Sequence, residues 1–405
     1  MEILYEIHNR LVEDTPIGFK RYLYHKINWD SRLVEITGAR GVGKTTLILQ
    51  YIKSTFNSND TSVLYFSADD PYFYSNSIVD TVDKFVKYGG SHIFIDEVHK
   101  YLPKHNYTDW SGEMKAIYDR YPKLKIVYSG SSIIQLMKGS GDLSRRISPY
   151  FLSGLSFREY LWFNGILELK ELSLDDILKQ HLPLAKDISS KTLILPHFQK
   201  YLKFGYYPFY NQDKEKYYDR LKNVINVILD VDIPSVIDIQ YQSVQKIKRL
   251  LAVISTSSPY TPNLTELGKK IGITDQRTLL KYLDYMEKAA LIRNLRRDAI
   301  GDTILRKPDK IYISNTNLAH ALELNNVNTG TIRETFLYSQ TNSLYGVKSP
   351  VQGDFKLNDK FIIEVGGKNK KSKQIINIDN LYLAIDDIET GIFNRIPLWL
   401  FGFLY

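Results

Sequence analysis

The stretch Gly38-Ala39-Arg40-Gly41-Val42-Gly43-Lys44-Thr45-Thr46 has the spacing Gly-x-x-x-x-Gly-Lys-Ser/Thr of a phosphate-binding loop. The residue types explain the pattern. Gly38, Gly41 and Gly43 let the backbone turn its amides inward around phosphate oxygens. Lys44 is spaced to reach the β- and γ-phosphates, and Thr45 opens a helix whose positive dipole end adds to the site and whose hydroxyl can ligate Mg²⁺. A chance glycine-rich turn would supply the glycines, but not strand, loop and helix in this order.

A second chemical element is His92-Ile93-Phe94-Ile95-Asp96-Glu97, a buried-type strand ending in two carboxylates. Asp96 is placed to hold Mg²⁺ through water, completing the shell begun by Thr45 and the phosphates. Glu97, aimed differently, is placed to polarise an attacking water as general base. Taken alone, the pair would equally suit a strand end that caps a helix. Further on, Ser129-Gly130-Ser131-Ser132 either senses the γ-phosphate or forms a turn. Arg145 and Arg146 either supply an arginine finger or lie on solvated surface.

Strands and helices must position these groups. The pattern predicts a helix from 15 to 26 leading into a strand at 32–37, then the loop and a helix over 45–52. Strands are expected at 62–67, 92–97 and 124–128, with helices near 77–88, 111–121 and 133–137 between or after them. Gly89-Gly90 is a natural stop for the first of these helices.

The 405 residues are too many for one ordinary domain and suggest two or three. There is no cysteine, so disulfides, thiolate metal sites and Cys nucleophiles are excluded. The eight histidines are scattered without a zinc spacing. The amphipathic, acid-containing start does not read as a signal peptide. The apolar run at 396–405 is far shorter than the ~20 residues that span a bilayer, and is expected to be a buried terminal strand. A net charge of +8 permits a polyanionic partner but is modest over this length.

The order GARGVGKTT, HIFIDE, KLKIVYSGSS and LSRRISPYFLSGLSFREYL resembles the AAA-type ATPases of bacteria and archaea that carry a C-terminal domain of unknown function. Ser129 replaces a threonine of that pattern, and the expected glycine and proline of the fourth element become Ser144 or Arg145 and Ser153-Gly154. The resemblance covers about the first 165 residues. It implies a parallel sheet with the Ser129 strand between the loop strand and the Asp96 strand.

Residues 166–243 read as helical, with Leu221, Val224, Ile225 and Ile228 at core spacing and a turn at Gly205-Tyr206-Tyr207-Pro208 like one in the same family. Residues 244–314 read as helix, helix, a tight turn at Gly272 and a third helix, followed by a two-stranded wing over 293–312. This resembles a winged helix. In a DNA reader, Asp275, Gln276, Arg277 and Lys281 would face the groove, and Arg293, Arg296, Arg297, Arg306 and Lys307 would meet phosphates. In a protein-packing module they would not. The last segment, 315–405, resembles a nuclease-like fold of the PD-(D/E)xK type. Glu334, Asp354 and Glu364 are its candidate acids. The lysine expected two residues after the second strand acid is Gly366, and Lys368 would serve only if the strand ran on. A degenerate, structural version of that fold is therefore expected, with an active metal-dependent nuclease as the alternative. The run Lys368-Asn369-Lys370-Lys371-Ser372-Lys373 either tracks a phosphate backbone or forms a solvated loop.

The combined expectation is an α/β chain. A P-loop domain of AAA/ASCE type over 1–165 precedes a helical segment, a winged helix and an α+β nuclease-like domain. It would bind ATP and Mg²⁺ in the cytoplasm, off the membrane, and hydrolyse ATP to drive or gate its second half. DNA and further copies of the chain are candidate partners. The alternatives are an ATP-gated DNA-binding switch and a metal-dependent nuclease.

Overall fold

The computed structural model describes residues 1–104, 107, 109–131, 143, 145–237, 239–297, 307–323, 327–370 and 380–405. The chain forms two compact units, Met1–Leu152 with Val231–Asp238, and Ser153–Asp230 with Ile239–Tyr405.

In the first unit, α1 (Glu2–Asp14) packs on the sheet and on the loop helix. Between 15 and 26 only a 3-10 turn forms, Tyr22–His25, in place of the expected helix. Pro16 and Gly18 account for this, since one lacks an amide donor and the other favours no single backbone well. Strand β1 (Leu33–Gly38) then runs into the loop, and α2 (Lys44–Thr55) follows. Beyond it come β2 (Val63–Ser67), α3 (Ile78–Lys87, capped by the Ser77 hydroxyl), β3 (His92–Asp96), α4 (Trp110–Arg120), β4 (Lys125–Ser131) and β5 (Ser148–Phe151).

All five strands are parallel in the order β2-β3-β4-β1-β5. The strand bearing Ser129 thus lies between those bearing the loop and Asp96, as the resemblance implies. Parallel strands covered on both faces read as continuous apolar runs. Accordingly Leu33, Leu64, Phe66, Ile93, Ile95 and Ile126 lie in one buried cluster with helix residues such as Val82, Met114 and Ile117. Burying each such side chain fully contributes about 1.5–3 kcal/mol. Because every strand points the same way, their C-terminal ends converge on one edge, where ligands bind in open α/β sheets.

The second unit opens with α5 (Phe157–Phe163), whose Ser156 and Glu159 form a capping box. Helices α6 (Leu174–Lys191), α7 (Ile194–Phe204) and α8 (Tyr217–Val227) follow. A π turn, Ile228–Asp232, leads to α9 (Ile233–Val236), which belongs to the first unit. Back in the second unit, α10 (Tyr241–Ser255), α11 (Leu264–Ile271) and α12 (Gln276–Lys288) precede the antiparallel pair β6 (Ile292–Leu295) and β7 (Lys310–Ile313). Gly272 between α11 and α12 has φ 73°. Then come α13 (Thr316–Leu322), α14 (Thr329–Thr341) and a mixed sheet of β8 (Val347–Lys348), β9 (Phe355–Leu357), β10 (Phe361–Gly366), β11 (Leu381–Ile385) and β12 (Arg395–Pro397), in the order β12-β11-β10-β9-β8.

The apolar run at the end is buried, but only its start is strand; Leu398–Phe403 is a 3-10 helix packed on α5 and α14. Pro397 cannot extend the ladder, and side chains buried all round carry no period-two signal. Among the described residues no helix is long and apolar enough to cross a membrane.

Candidate functional site: the phosphate loop and its carboxylates

The loop has the local geometry its glycines allow. Gly41 and Gly43 have φ of 83° and 98°, and Gly43 is the left-handed N-cap of α2. A Cβ at Gly38 would strike the Leu152 carbonyl. Arg21 Nη1 donates to the Val42 carbonyl over 2.5 Å and holds the loop from below. Lys44 is buried, and its ammonium donates to the carbonyls of Gly38 (3.0 Å) and Ala39 (3.1 Å). Burial pushes its pKa down, opposed by the carboxylates of Glu97 and Asp96. Val42 is buried beneath the loop, while Gly41 and Thr46 are exposed.

Asp96 is the point where three strands and the loop meet. Its Oδ2 accepts from Thr45 Oγ1 at 2.5 Å and from the Tyr65 hydroxyl at 3.0 Å, and its Oδ1 accepts from Ser129 Oγ and from the Glu97 amide. Register explains this convergence. Ser67 pairs with Asp96, so Tyr65, two residues earlier on β2, faces the same side. Ile95 pairs with Tyr128, which brings Ser129 level with Asp96. Thr45 and Asp96 are adjacent hard oxygen donors, the chemistry Mg²⁺ takes when phosphates and waters complete its shell. Among the described residues no group of three or more His, Asp or Glu side chains is arranged to hold a metal by itself.

Glu97 turns away from Asp96 because its backbone is left-handed, with φ 53°, unusual for a residue with a side chain. Its Oε2 lies 3.1 Å from Lys100 Nζ and 3.6 Å from His99 Nε2. Lys100 also reaches Asp69 at 2.7 Å. Burial works to raise the Glu97 pKa, but Lys44, His99 and Lys100 outweigh it and the net shift is downward. His99 is buried, which lowers its pKa to about 4, and its Nδ1 accepts from the Ser131 amide at 3.4 Å. The neutral ring therefore carries its proton on Nε2, facing Glu97. Tyr65, His99 and Lys100 were not legible as site residues. The only hint is the spelling Asp-Glu-Val-His-Lys, which puts two nitrogen bases within one turn of Glu97.

Arg145 and Arg146 are not brought to this edge. Ser148 pairs with Val34 at the start of β1, so the arginines lie toward the opposite end of the sheet. Arg145 is exposed; Arg146 pairs with Asp119 at 3.2 Å and lies over the Tyr118 ring. Ser132, Ser144 and the expected helix at 133–137 fall outside the described residues.

In the second unit, Gln276, Arg277 and Lys281 at the start of α12 are exposed, as are Asp275 and Lys307. Arg293 is instead buried and donates to the Ser314 carbonyl, Arg296 pairs with Glu287 at 2.9 Å, and Arg297 pairs with Asp309 at 3.2 Å. The expectation of a phosphate contact is corrected for Arg293, which is buried within its own unit, whereas Arg296 is half-buried and Arg297 is exposed; Arg306 lies outside the described residues. Glu334 and Asp354 share Lys310, at 3.5 and 3.4 Å, and the Tyr312 hydroxyl donates to Glu334 at 2.6 Å. Burial, then the neighbouring Asp354, raises the Glu334 pKa. Glu364 pairs with Lys370 at 2.8 Å, whereas Lys368 is exposed. The lysine that reaches Glu364 is thus Lys370, while Lys310 serves the other two acids; β10 ends at Gly366, so Lys368 does not continue its face. Lys371, Ser372 and Lys373 lie outside the described residues.

Residues 30–161 match the family described as an AAA domain, and residues 195–329 match a domain of unknown function (DUF8612). An uncharacterized protein of Methanocaldococcus jannaschii is 26% identical over 405 aligned positions, spanning 90% of this chain and 85% of the relative. Solved structures sharing features with the chain include three nucleotide- or DNA-bound proteins. The ADP complex of S. cerevisiae Hsp104 is 16% identical, covers 71% of this chain and 41% of that one, and has a TM-score of 0.27. AMPPCP-bound DnaA from Aquifex aeolicus is 17% identical, with 70% and 88% covered and a TM-score of 0.24. The Aeropyrum pernix ORC1 protein in complex with DNA is 9% identical, with 79% and 92% covered and a TM-score of 0.31. The strand order, the loop and the family matched over 30–161 give the first unit the fold of an AAA-type P-loop ATPase.

Proposed function

We propose that the first unit binds ATP with Mg²⁺ and hydrolyses it, and that the nucleotide state governs the second unit. The observation that carries this reading is the meeting of Thr45, Ser129 and the Glu97 amide on Asp96, which joins the loop to the strand that bears the carboxylates. Lys44 and the loop amides bind the phosphates, and Ser129 fixes the Asp96 carboxylate. Thr45 and Asp96 would hold Mg²⁺, which would supply positive charge against the phosphates. Glu97, ionised at neutral pH, takes a proton from water as its oxygen bonds to the γ-phosphorus. The bond from that phosphorus to the bridging oxygen breaks, and ADP leaves with the electron pair.

Phosphate release from ATP, measured with Mg²⁺ and with EDTA, tests the reading. Metal-dependent release that Lys44→Ala abolishes along with nucleotide binding supports it; release that is unchanged in Lys44→Ala overturns it.

A second reading concerns what the second unit does. The exposed Gln276, Arg277 and Lys281 on α12, after the Gly272 turn and before the β6–β7 pair, support a winged helix presented to DNA in an ATP-dependent way with little turnover. That switch requires salt-sensitive DNA binding that changes with nucleotide and is lost in Arg277→Ala with Lys281→Ala. The nuclease reading has less support, since the lysine its pattern wants two residues after Glu364 is Gly366 and Lys368 is exposed beyond the end of β10.

A further inference from the structure

The segment that returns to the first unit brings a carboxylate to the phosphate loop. Asp232 ends the π turn and precedes α9. Its side chain is 1% exposed, and its Oδ1 lies 3.4 Å from Arg40 Nη1. Its Oδ2 has no hydrogen-bond partner among the described residues, and it does not cap α9. The helix it introduces packs on the 3-10 turn Val98–Lys100 directly after Glu97. A carboxylate removed from water with one long contact is poorly compensated. Burial pushes the Asp232 pKa up, with Arg40 the strongest opposing charge.

Arg40 sits inside the loop, between Gly38 and Gly41, in the stretch whose backbone would wrap a phosphate. Its guanidinium is a third exposed and so has room to turn. A phosphate offers it more charge and two oxygens in the fork geometry that arginine prefers. Asp232 offers it one oxygen at the outer limit of a hydrogen bond.

We propose that Arg40 exchanges Asp232 for a phosphate oxygen when nucleotide binds, so that an occupied loop releases residues 228–236. This rests on the nucleotide-binding reading above. The consequence follows from chain connectivity: residues 228–230 are continuous with α8, and the chain after α9 continues into α10, both in the second unit. A change at Arg40 is therefore felt at both ends of a segment only nine residues long. Removing the competing carboxylate should favour the phosphate. Removing the arginine should free the segment whether or not nucleotide is present.

The test is hydrogen exchange of the full chain, alone and with Mg²⁺ and AMPPCP, beside calorimetric titration of the same ligand. In the wild type, AMPPCP should speed exchange of the 228–236 amides about five-fold or more. Asp232→Asn, nearly isosteric, should bind AMPPCP several-fold tighter and exchange fast with or without it. Arg40→Ala should exchange fast in both conditions and bind more weakly. If the wild type binds AMPPCP but 228–236 exchange is unchanged, or Asp232→Asn binds more weakly than wild type, the exchange of partners is overturned while the nucleotide reading stands. If the wild type binds no nucleotide, both are overturned.

Discussion

Thr45 Oγ1 donates to Asp96 Oδ2 over 2.5 Å, so the first turn of α2 and the residue that ends β3 are in contact across the loop. On the proposed reading their oxygens hold Mg²⁺, and neither is replaced by its neighbour: Thr46 is exposed and Glu97 faces Lys100. Thr45→Val and Asp96→Asn should therefore each remove most of the difference in ATP affinity between Mg²⁺ and EDTA. The loss should be about tenfold or more, the size seen when even outer partners of a metal are removed. Titration in both buffers checks this, and a full metal effect in Thr45→Val would take the hydroxyl out of the site.

Glu97 is held ionised by its basic neighbours, and its side chain, unlike that of Asp96, accepts from none of Thr45, Ser129 and Tyr65. Glu97→Gln keeps the shape and removes the base. Hydrolysis should fall by about 10²–10⁴ while ATP affinity stays within a few-fold of wild type. Equal single-turnover rates for the two proteins would remove Glu97 from the mechanism.

Much of this edge was readable because it is local. The glycine spacing dictates the loop, and an apolar strand ending in Asp96-Glu97 dictates where carboxylates emerge. Ser129 was readable through the family's strand order, which fixes its register with Asp96. Tyr65 and Asp232 were not, since each reaches the site from a segment whose position depends on tertiary packing. Arg145 and Arg146 look close to the loop in the chain, yet a parallel strand must begin at the far end of the sheet, so following one more strand carries them away. The terminal run shows the same limit: Leu398 to Phe403 are buried on every side, and uniform burial leaves no period to tell strand from 3-10 helix.

Arg146 bears on assembly. Its strand starts level with Val34, four residues before the end of β1, or about 13 Å at the rise of a strand. Within one chain it faces Asp119 and Tyr118, so a finger role requires a second copy. If it has that role, Arg146→Ala should slow hydrolysis by about 10³ or more without weakening ATP binding. Mixing it with Lys44→Ala, which keeps Arg146, should restore activity. An undiminished rate in Arg146→Ala alone would show that the guanidinium serves only Asp119.

Acid sensitivity has a source away from the loop. His8 lies on the buried face of α1, and its Nδ1 accepts from the Tyr65 amide at 2.9 Å. Burial lowers its pKa from 6.5 to about 4. Between these values the unfolded chain binds a proton that the folded chain refuses. The stability His8 contributes is therefore complete above pH 6.5 and is lost progressively as pH falls towards 4. The loss should be of the order of 1–3 kcal/mol. His8→Asn keeps an acceptor for the Tyr65 amide but does not titrate, so its urea midpoint should fall less than that of the wild type between pH 7 and pH 5. His99 and His320, also near 4, are present in both proteins and cancel in the comparison. Parallel pH curves would mean that His8 takes up its proton without opening the fold.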